Sequence, residues 1–144
     1  MGGAALTKTI SEFCAGTMIG VLGWFFGGID GFIEVLLAFS VIDYFTGLAV
    51  AWFDDTISSR IGFNGILRKC VMFSLVGVAN LIDKTFLGGL DSVRSVVIIF
   101  YVGNEGISIM ENAIKLGVPF PKVLRKHFLQ FLKDKNQEKQ KNNV

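Results

Sequence analysis

Histidine, cysteine, proline and charge are all scarce in this chain of 144 residues. There is one histidine, there are two cysteines and two prolines, and only 18% of the residues are charged. A lone histidine, His127, cannot assemble a metal site by itself. Cys14 and Cys70 adjoin or lie within apolar runs, with no CxxC spacing and no histidine nearby, which excludes a disulfide framework and a zinc site and reads as two small apolar fillers. No GxxxxGK[ST], HExxH or GxSxG pattern is present. The chain is therefore expected to be neither an enzyme nor a carrier of a cofactor or metal.

Hydrophobic residues are abundant at 51%, 14 of them Phe, and mean hydropathy is +0.55. The net charge of +2 hides an asymmetry: residues 1–114 sum to −4 and residues 115–144 to +6. An apolar body with so few charges excludes disorder over most of the chain and is poor material for a soluble domain.

Four apolar segments follow one another, at about 13–29, 31–53, 70–87 and 93–116. A membrane helix needs about 20 mainly apolar residues. The expected fold is thus all-α, an integral membrane bundle of three to four spans within residues 1–118. A basic tail, 119–144, follows and contains a C-terminal amphipathic helix. The run from Phe13 is longer than a signal-peptide core and has no A-x-A-like cleavage site, so it reads as an uncleaved span. Leu6 stands where a myristoylation motif needs Ser or Thr. Gly27-Gly28-Ile29-Asp30-Gly31 reads as a tight turn, Asp54 to Arg68 as a polar loop, and Leu87 to Asp91 as a short turn whose Asp91 or Ser92 caps the next helix. Gly117 suits a helix C′ position, and Pro119 and Pro121 forbid continuation.

Arg60, Arg68 and Lys69 follow segment two, and eight basic residues follow from Lys115, whereas the turn after segment three carries only Lys84. With basic residues retained inside, four spans place both termini in the cytoplasm. Three spans place only the C-terminus there. Trp24 and Trp52-Phe53 sit near span ends, as an aromatic belt requires.

Four features could carry function. Gly16, Gly20, Gly23 and Gly27 form one stripe on span one, a surface for close packing against span two or another copy. Asp43 lies inside span two on the face of Gly47, with Thr46 nearby, while Glu34 points to the other side near the span end. Span four carries a polar wedge of Arg94, Tyr101, Asn104, Glu105, Ser108, Glu111 and Asn112, opposite an apolar arc. Lipid does not tolerate such a wedge. It is a buried network with Arg94 neutralised by a carboxylate from another span, or a water-facing surface in an oligomer, or one side of a soluble amphipathic helix. Finally, Val123 to Leu132 is amphipathic, with Lys122, Arg125, Lys126 and Lys133 on its basic side. That suits an anionic membrane surface or docking on the protein's own loops. No element able to read bases accompanies the charge, so nucleic acid is not an expected partner.

Three stretches resemble the phage lysis and toxin-secretion holins of Gram-positive systems. They are Asp43-Tyr44-Phe45-Thr46-Gly47, then Ser58-Ser59-Arg60 through Gly65-Ile66-Leu67-Arg68-Lys69, and Asn104 through Asn112 followed by Gly117-Val118-Pro119-Phe120-Pro121-Lys122. The resemblance implies a small bacterial cytoplasmic-membrane protein that self-associates. At a set time it opens lesions that dissipate the proton-motive force and let an endolysin or toxin cross; no catalytic residue belongs to the family, and the resemblance implies none here. Direct contact with that endolysin or toxin is not implied. A regulator of a related holin (an antiholin) and a small ion channel are the alternative readings.

Overall fold

The computed structural model describes residues 2–119 together with Pro121 and Gln130, with side chains described from Leu6 onward. Four helices and no strand occur among the described residues: α1 (Gly2–Phe26), α2 (Gly31–Phe53), α3 (Ser59–Phe86) and α4 (Ser92–Lys115). All four contain a stretch long and apolar enough to cross a membrane, from Leu6–Phe26 in α1 and over the whole of α2, α3 and α4. The chain is a multi-pass helical membrane protein. The amphipathic helix expected at Val123–Leu132, and its Lys122, Arg125, Lys126 and Lys133, lie outside the described residues.

The helix ends follow from local chemistry. Asp30 caps α2 by accepting the Ile33 N–H at 3.0 Å, and Ser58 caps α3 by accepting that of Ile61 at 3.3 Å. Gly27 and Gly28 adopt φ of 82° and 102°, which closes α1 with a Gly28 N–H to Gly23 C=O bond of 2.8 Å. Gly117 closes α4 in the same left-handed manner at φ 79°.

Three sequence expectations need correction. The first span ends at Phe26, so Gly27 belongs to the turn and not to a helical packing stripe. The third helix begins at Ser59, not near residue 70, so most of the supposed polar loop is helix. Its polar turns gain a cap from Ser58, and Gly62 and Gly65 let the Tyr44 side chain approach, a Cβ at Gly62 lying 3.3 Å from its hydroxyl and one at Gly65 3.3 Å from its ring. Lastly, Asp91 makes no side-chain cap and Ser92 is already helical. The cap of α4 is instead Asp83, whose carboxylate accepts the N–H of Val93 at 3.0 Å and of Arg94 at 2.8 Å.

The core is small and lies among α2, α3 and α4: Ile33, Leu36, Met72, Val76 and Ile98 are buried, and Phe26, Phe73, Val97, Tyr101 and Val102 pack on them. The α2–α4 pairing is the most extensive, α3 packs chiefly on α4, and α1 leans on α3. Most of the large apolar side chains of α1 are exposed, from Leu6 to Trp24, as a lipid-facing helix requires. Trp24, Trp52 and Phe53 are exposed near helix ends. Cys14 and Cys70 are exposed and unbonded, so they fill no core.

The α1–α3 contact is tight at one point. A Cβ on buried Gly77 would lie 1.9 Å from the Phe25 ring. Gly77→Val therefore displaces that ring and lowers stability by about 1–3 kcal/mol, read as a reduced thermal midpoint in detergent. Gly103→Ala, where a Cβ meets nothing within 4 Å and the helix gains a better helix former, does not lower the midpoint.

Candidate functional site: a charged cleft at mid-span

At about 1.5 Å per residue, Asp43 lies about 18 Å from the start of α2 and about 15 Å from its end. Glu105 lies about 20 Å and about 15 Å from the two ends of α4. Both carboxylates are therefore far from either membrane surface, where an ion requires a partner or water. Lys69 of α3 supplies the partner. Its Nζ lies 2.9 Å from Asp43 Oδ2 and also pairs with Glu105 Oε2. The three side chains are only 17%, 18% and 13% exposed, respectively for Lys69, Asp43 and Glu105. With one cation and two carboxylates in their ionised forms, the triad carries a formal net charge of −1.

Asn112, buried about two turns beyond Glu105 on the same face of α4, completes the network. Its Nδ2 donates to Asp43 Oδ1 at 3.3 Å and to Thr46 Oγ1 at 3.1 Å. Gly47 faces it, and a Cβ there would lie 3.6 Å from Asn112 Nδ2, in ordinary contact. The triad opens onto a cleft of about 610 Å³ between α2, α3 and α4, to which Tyr44, Asn64, Arg68, Tyr101, Asn104 and Ser108 also contribute. Such a surface is polar at a depth where lipid offers nothing to bond.

A second polar cluster sits at the end where the α1–α2 and α3–α4 turns meet. The last carbonyls of a helix have no partner within it. For α1 they are met by side chains from α3 and α4. Asn80 Nδ2 donates to Trp24 O at 3.1 Å and Phe25 O at 2.8 Å, and Lys84 Nζ to Trp24 O at 2.7 Å. Arg94 Nε donates to Phe26 O at 2.6 Å. The guanidinium also grips Asp30 through Nη1 at 2.7 Å and Nη2 at 3.1 Å. Lys84 and Arg94 thus place two cations at a helix C-terminus, where the helix dipole favours them. Arg94 is 1% exposed and Asp83 and Asn80 are fully buried.

The Arg94 guanidinium holds the Asp30 carboxyl below its ordinary value of 3.8, against a smaller opposing effect of burial. The stability from this pair is complete above that ordinary value and is lost as the pH falls through the lower folded one. The thermal midpoint of the parent in detergent is expected to drop in this acid range by more than that of Asp30→Asn.

The wedge of span four is thus divided. Tyr101, Asn104, Glu105, Ser108 and Asn112 border one cleft with Asp43, while Arg94 belongs to the turn cluster. Glu111 is half-buried and does not border the cleft. Gly16, Gly20 and Gly23 are open: a Cβ on any of them would meet nothing within 4 Å. The stripe does not pack on α2 within the chain. Sequence reasoning missed Lys69, Asp30, Asp83 and Asn80 as site residues. A signal was present: Lys69, Met72, Val76, Ala79, Asn80 and Asp83 follow helical spacing along one face of α3.

This is a polytopic helical membrane protein whose polar groups gather within its spans. Comparison with known proteins identifies the class. The bacteriophage holin family profile matches residues 20–133. A protein of Listeria innocua, uncharacterized, is 39% identical over 121 residues, covering 84% of this chain and 86% of its own length. An uncharacterized protein of Clostridium perfringens is 39% identical, covering 78% and 83%. A protein named as a probable holin, from Bacillus phage phi105, is 35% identical over 119 residues, covering 81% and 86%. No solved structure matches. The chain belongs to the bacteriophage holin family.

Proposed function

We propose that this protein is a holin acting in the cytoplasmic membrane of a bacterial host. Copies associate and, at a set time, open lesions that collapse the proton-motive force and let an endolysin, or a toxin, cross without direct contact. The observation that carries this reading, beside the family, is the Lys69–Asp43–Glu105 triad at mid-span on a polar cleft. Charges at that depth are costly unless they meet partners or water, which marks the triad as a candidate functional group and suits a wall that comes to face water. In the closed state the helices of one copy cover most of it. In the open state neighbouring copies separate these helices, so that Asp43, Glu105, Ser108 and Asn112 face water. Arg94 joins that surface when the turn cluster releases it. A charge crossing the full potential feels about 2.3 kcal/mol per 100 mV, enough for loss of potential to tip a balanced equilibrium.

The orientation proposed has both termini in the cytoplasm. Arg60 on the first turn of α3 and the basic tail 119–144 then share the inner side. Lys122, Arg125, Lys126 and Lys133 rest on anionic lipid. The open stripe of Gly16, Gly20 and Gly23 supports packing between copies. Nucleic acid has no part in this reading.

Inducible expression with a cytoplasmic endolysin tests it, with turbidity and membrane potential followed together. Abrupt loss of both at a fixed time supports a holin. Absence of killing, with delay of killing by a related holin, overturns it in favour of a regulator.

A further inference from the structure

The charged cleft is confined to one half of the bundle. At about 1.5 Å per residue, its residues Ile61, Gly62 and Asn112 lie within about 5 Å of the ends of α3 and α4 on the side of the chain termini. Met72 and Tyr101, at its other extremity, lie about 20 Å from those ends. The triad, at about 15 Å, therefore sits near the deep end of a polar passage that starts at one membrane surface.

Just beyond the passage the chemistry changes. Leu36 of α2, Val76 of α3 and Ile98 of α4 each lie about 25 Å from that same end of their helix. Each is fully buried, and the three belong to one cluster. One apolar side chain from each helix thus meets the others at a single level. About a turn further on, the cluster of Asn80 and Arg94 is polar again. A thin apolar layer separates two polar regions.

We propose that this layer is the seal of the closed protein: water enters the cleft from the side of the termini as far as the triad, and Leu36, Val76 and Ile98 stop it there. The cleft, at about 610 Å³, has room for many waters and is lined by groups that bond them. The side chains of the layer offer no hydrogen bond, and a narrow apolar constriction excludes water and ions by dewetting. In the orientation proposed above, the cleft opens to the cytoplasm and the layer lies toward the outer face. The inference deepens the lysis reading and rests on it, because the layer is the barrier that an opening lesion has to breach.

Thiol accessibility in the full chain tests it, in sealed membranes of either orientation, before any lesion forms and in a Cys14→Ser, Cys70→Ser background. A membrane-impermeant maleimide is expected to label Ser108→Cys and Asn104→Cys from the side of the termini alone. Ile42→Cys, exposed on α2 at the depth of Asn104 but outside the cleft, stays unlabelled, as does Ile98→Cys within the layer. Val76→Thr, which keeps the shape of valine but brings a hydroxyl into the layer, raises potassium leak from vesicles several-fold. Val78→Thr, on the exposed side of α3, does not. Labelling of Asn104→Cys from the other side as well, or no more than that of Ile42→Cys, would overturn the seal. So would equal leak in Val76→Thr and Val78→Thr. Ser108→Cys and Asn104→Cys leave the layer intact, so labelling decides the matter even where Val76→Thr fails to accumulate. None of these readings needs a lesion to form, so failure of the seal and failure in the turbidity experiment are distinguishable.

Discussion

Lys69→Met is expected to abolish stable accumulation in the membrane, and adding Asp43→Asn and Glu105→Gln restores it. The single substitution leaves two carboxylates facing each other at mid-span with no cation between them. Removing one partner of a buried ion pair costs about 3–5 kcal/mol, a large share of the roughly 5–15 kcal/mol that holds an ordinary domain together. The triple variant removes every charge at once, and neutral replacement of a whole buried network is tolerated far better than its mutilation. Membrane-fraction abundance and the thermal midpoint in detergent read both effects. A Lys69→Met protein as abundant and as stable as the parent would show that water or a shared proton, not Lys69, accommodates the two carboxylates. In the lysis assay the triple variant is expected to insert and remain closed, because its cleft no longer gains from hydration.

Arg94→Leu is expected to delay or abolish lysis while membrane insertion persists, and Arg94→Lys does not rescue it. Arg94 satisfies Phe26 O and both Asp30 oxygens from one planar fork. A lysine has a single nitrogen and cannot span these acceptors. Each buried carbonyl left unpaired costs about 1–3 kcal/mol, and with α1 no longer tied to α4 fewer copies hold the fold that assembles and then opens, so lysis is delayed. The Asp83 cap survives, because it bonds backbone N–H groups that every Arg94 variant keeps. The helix α4 therefore still starts at its place, and the defect is confined to the attachment of α1. Normal lysis timing in Arg94→Leu would remove the turn cluster from the account.

The two helices without long polar turns were legible in the sequence. Segment 31–53 coincides with α2, and segment 93–116 is within a residue of α4 at either end. The start of α3 was not, because Ser58 to Lys69 holds two glycines, an Asn and three basic residues, and on local composition such a stretch reads as loop. Only the tertiary arrangement shows that its glycines face Tyr44 and its Lys69 faces two carboxylates. The same error concealed the site. Asp43 and Glu105 are recognisable as charges in apolar runs, but their counter-ion, Lys69, lies at the end of a stretch that reads as loop. The division of the wedge was equally out of reach. Arg94 and Glu105 share a helical face, yet Arg94 is drawn to the open carbonyls of α1, whose position no periodicity encodes. Asp83 as the cap of α4 depends on the left-handed Gly88 and Gly89, which turn the chain back on itself.

The central claim is that the charged cleft at mid-span becomes the wall of a hole wide enough for a folded protein. Its most direct measurement uses the full chain reconstituted in vesicles that hold both a small dye and a fluorescent protein, with a potential imposed and then dissipated. The account predicts that both are released together by the parent once the potential is lost, and that Glu105→Leu, inserted to the same level, retains the protein. Release of the dye alone by the parent would contradict it and indicate a small channel.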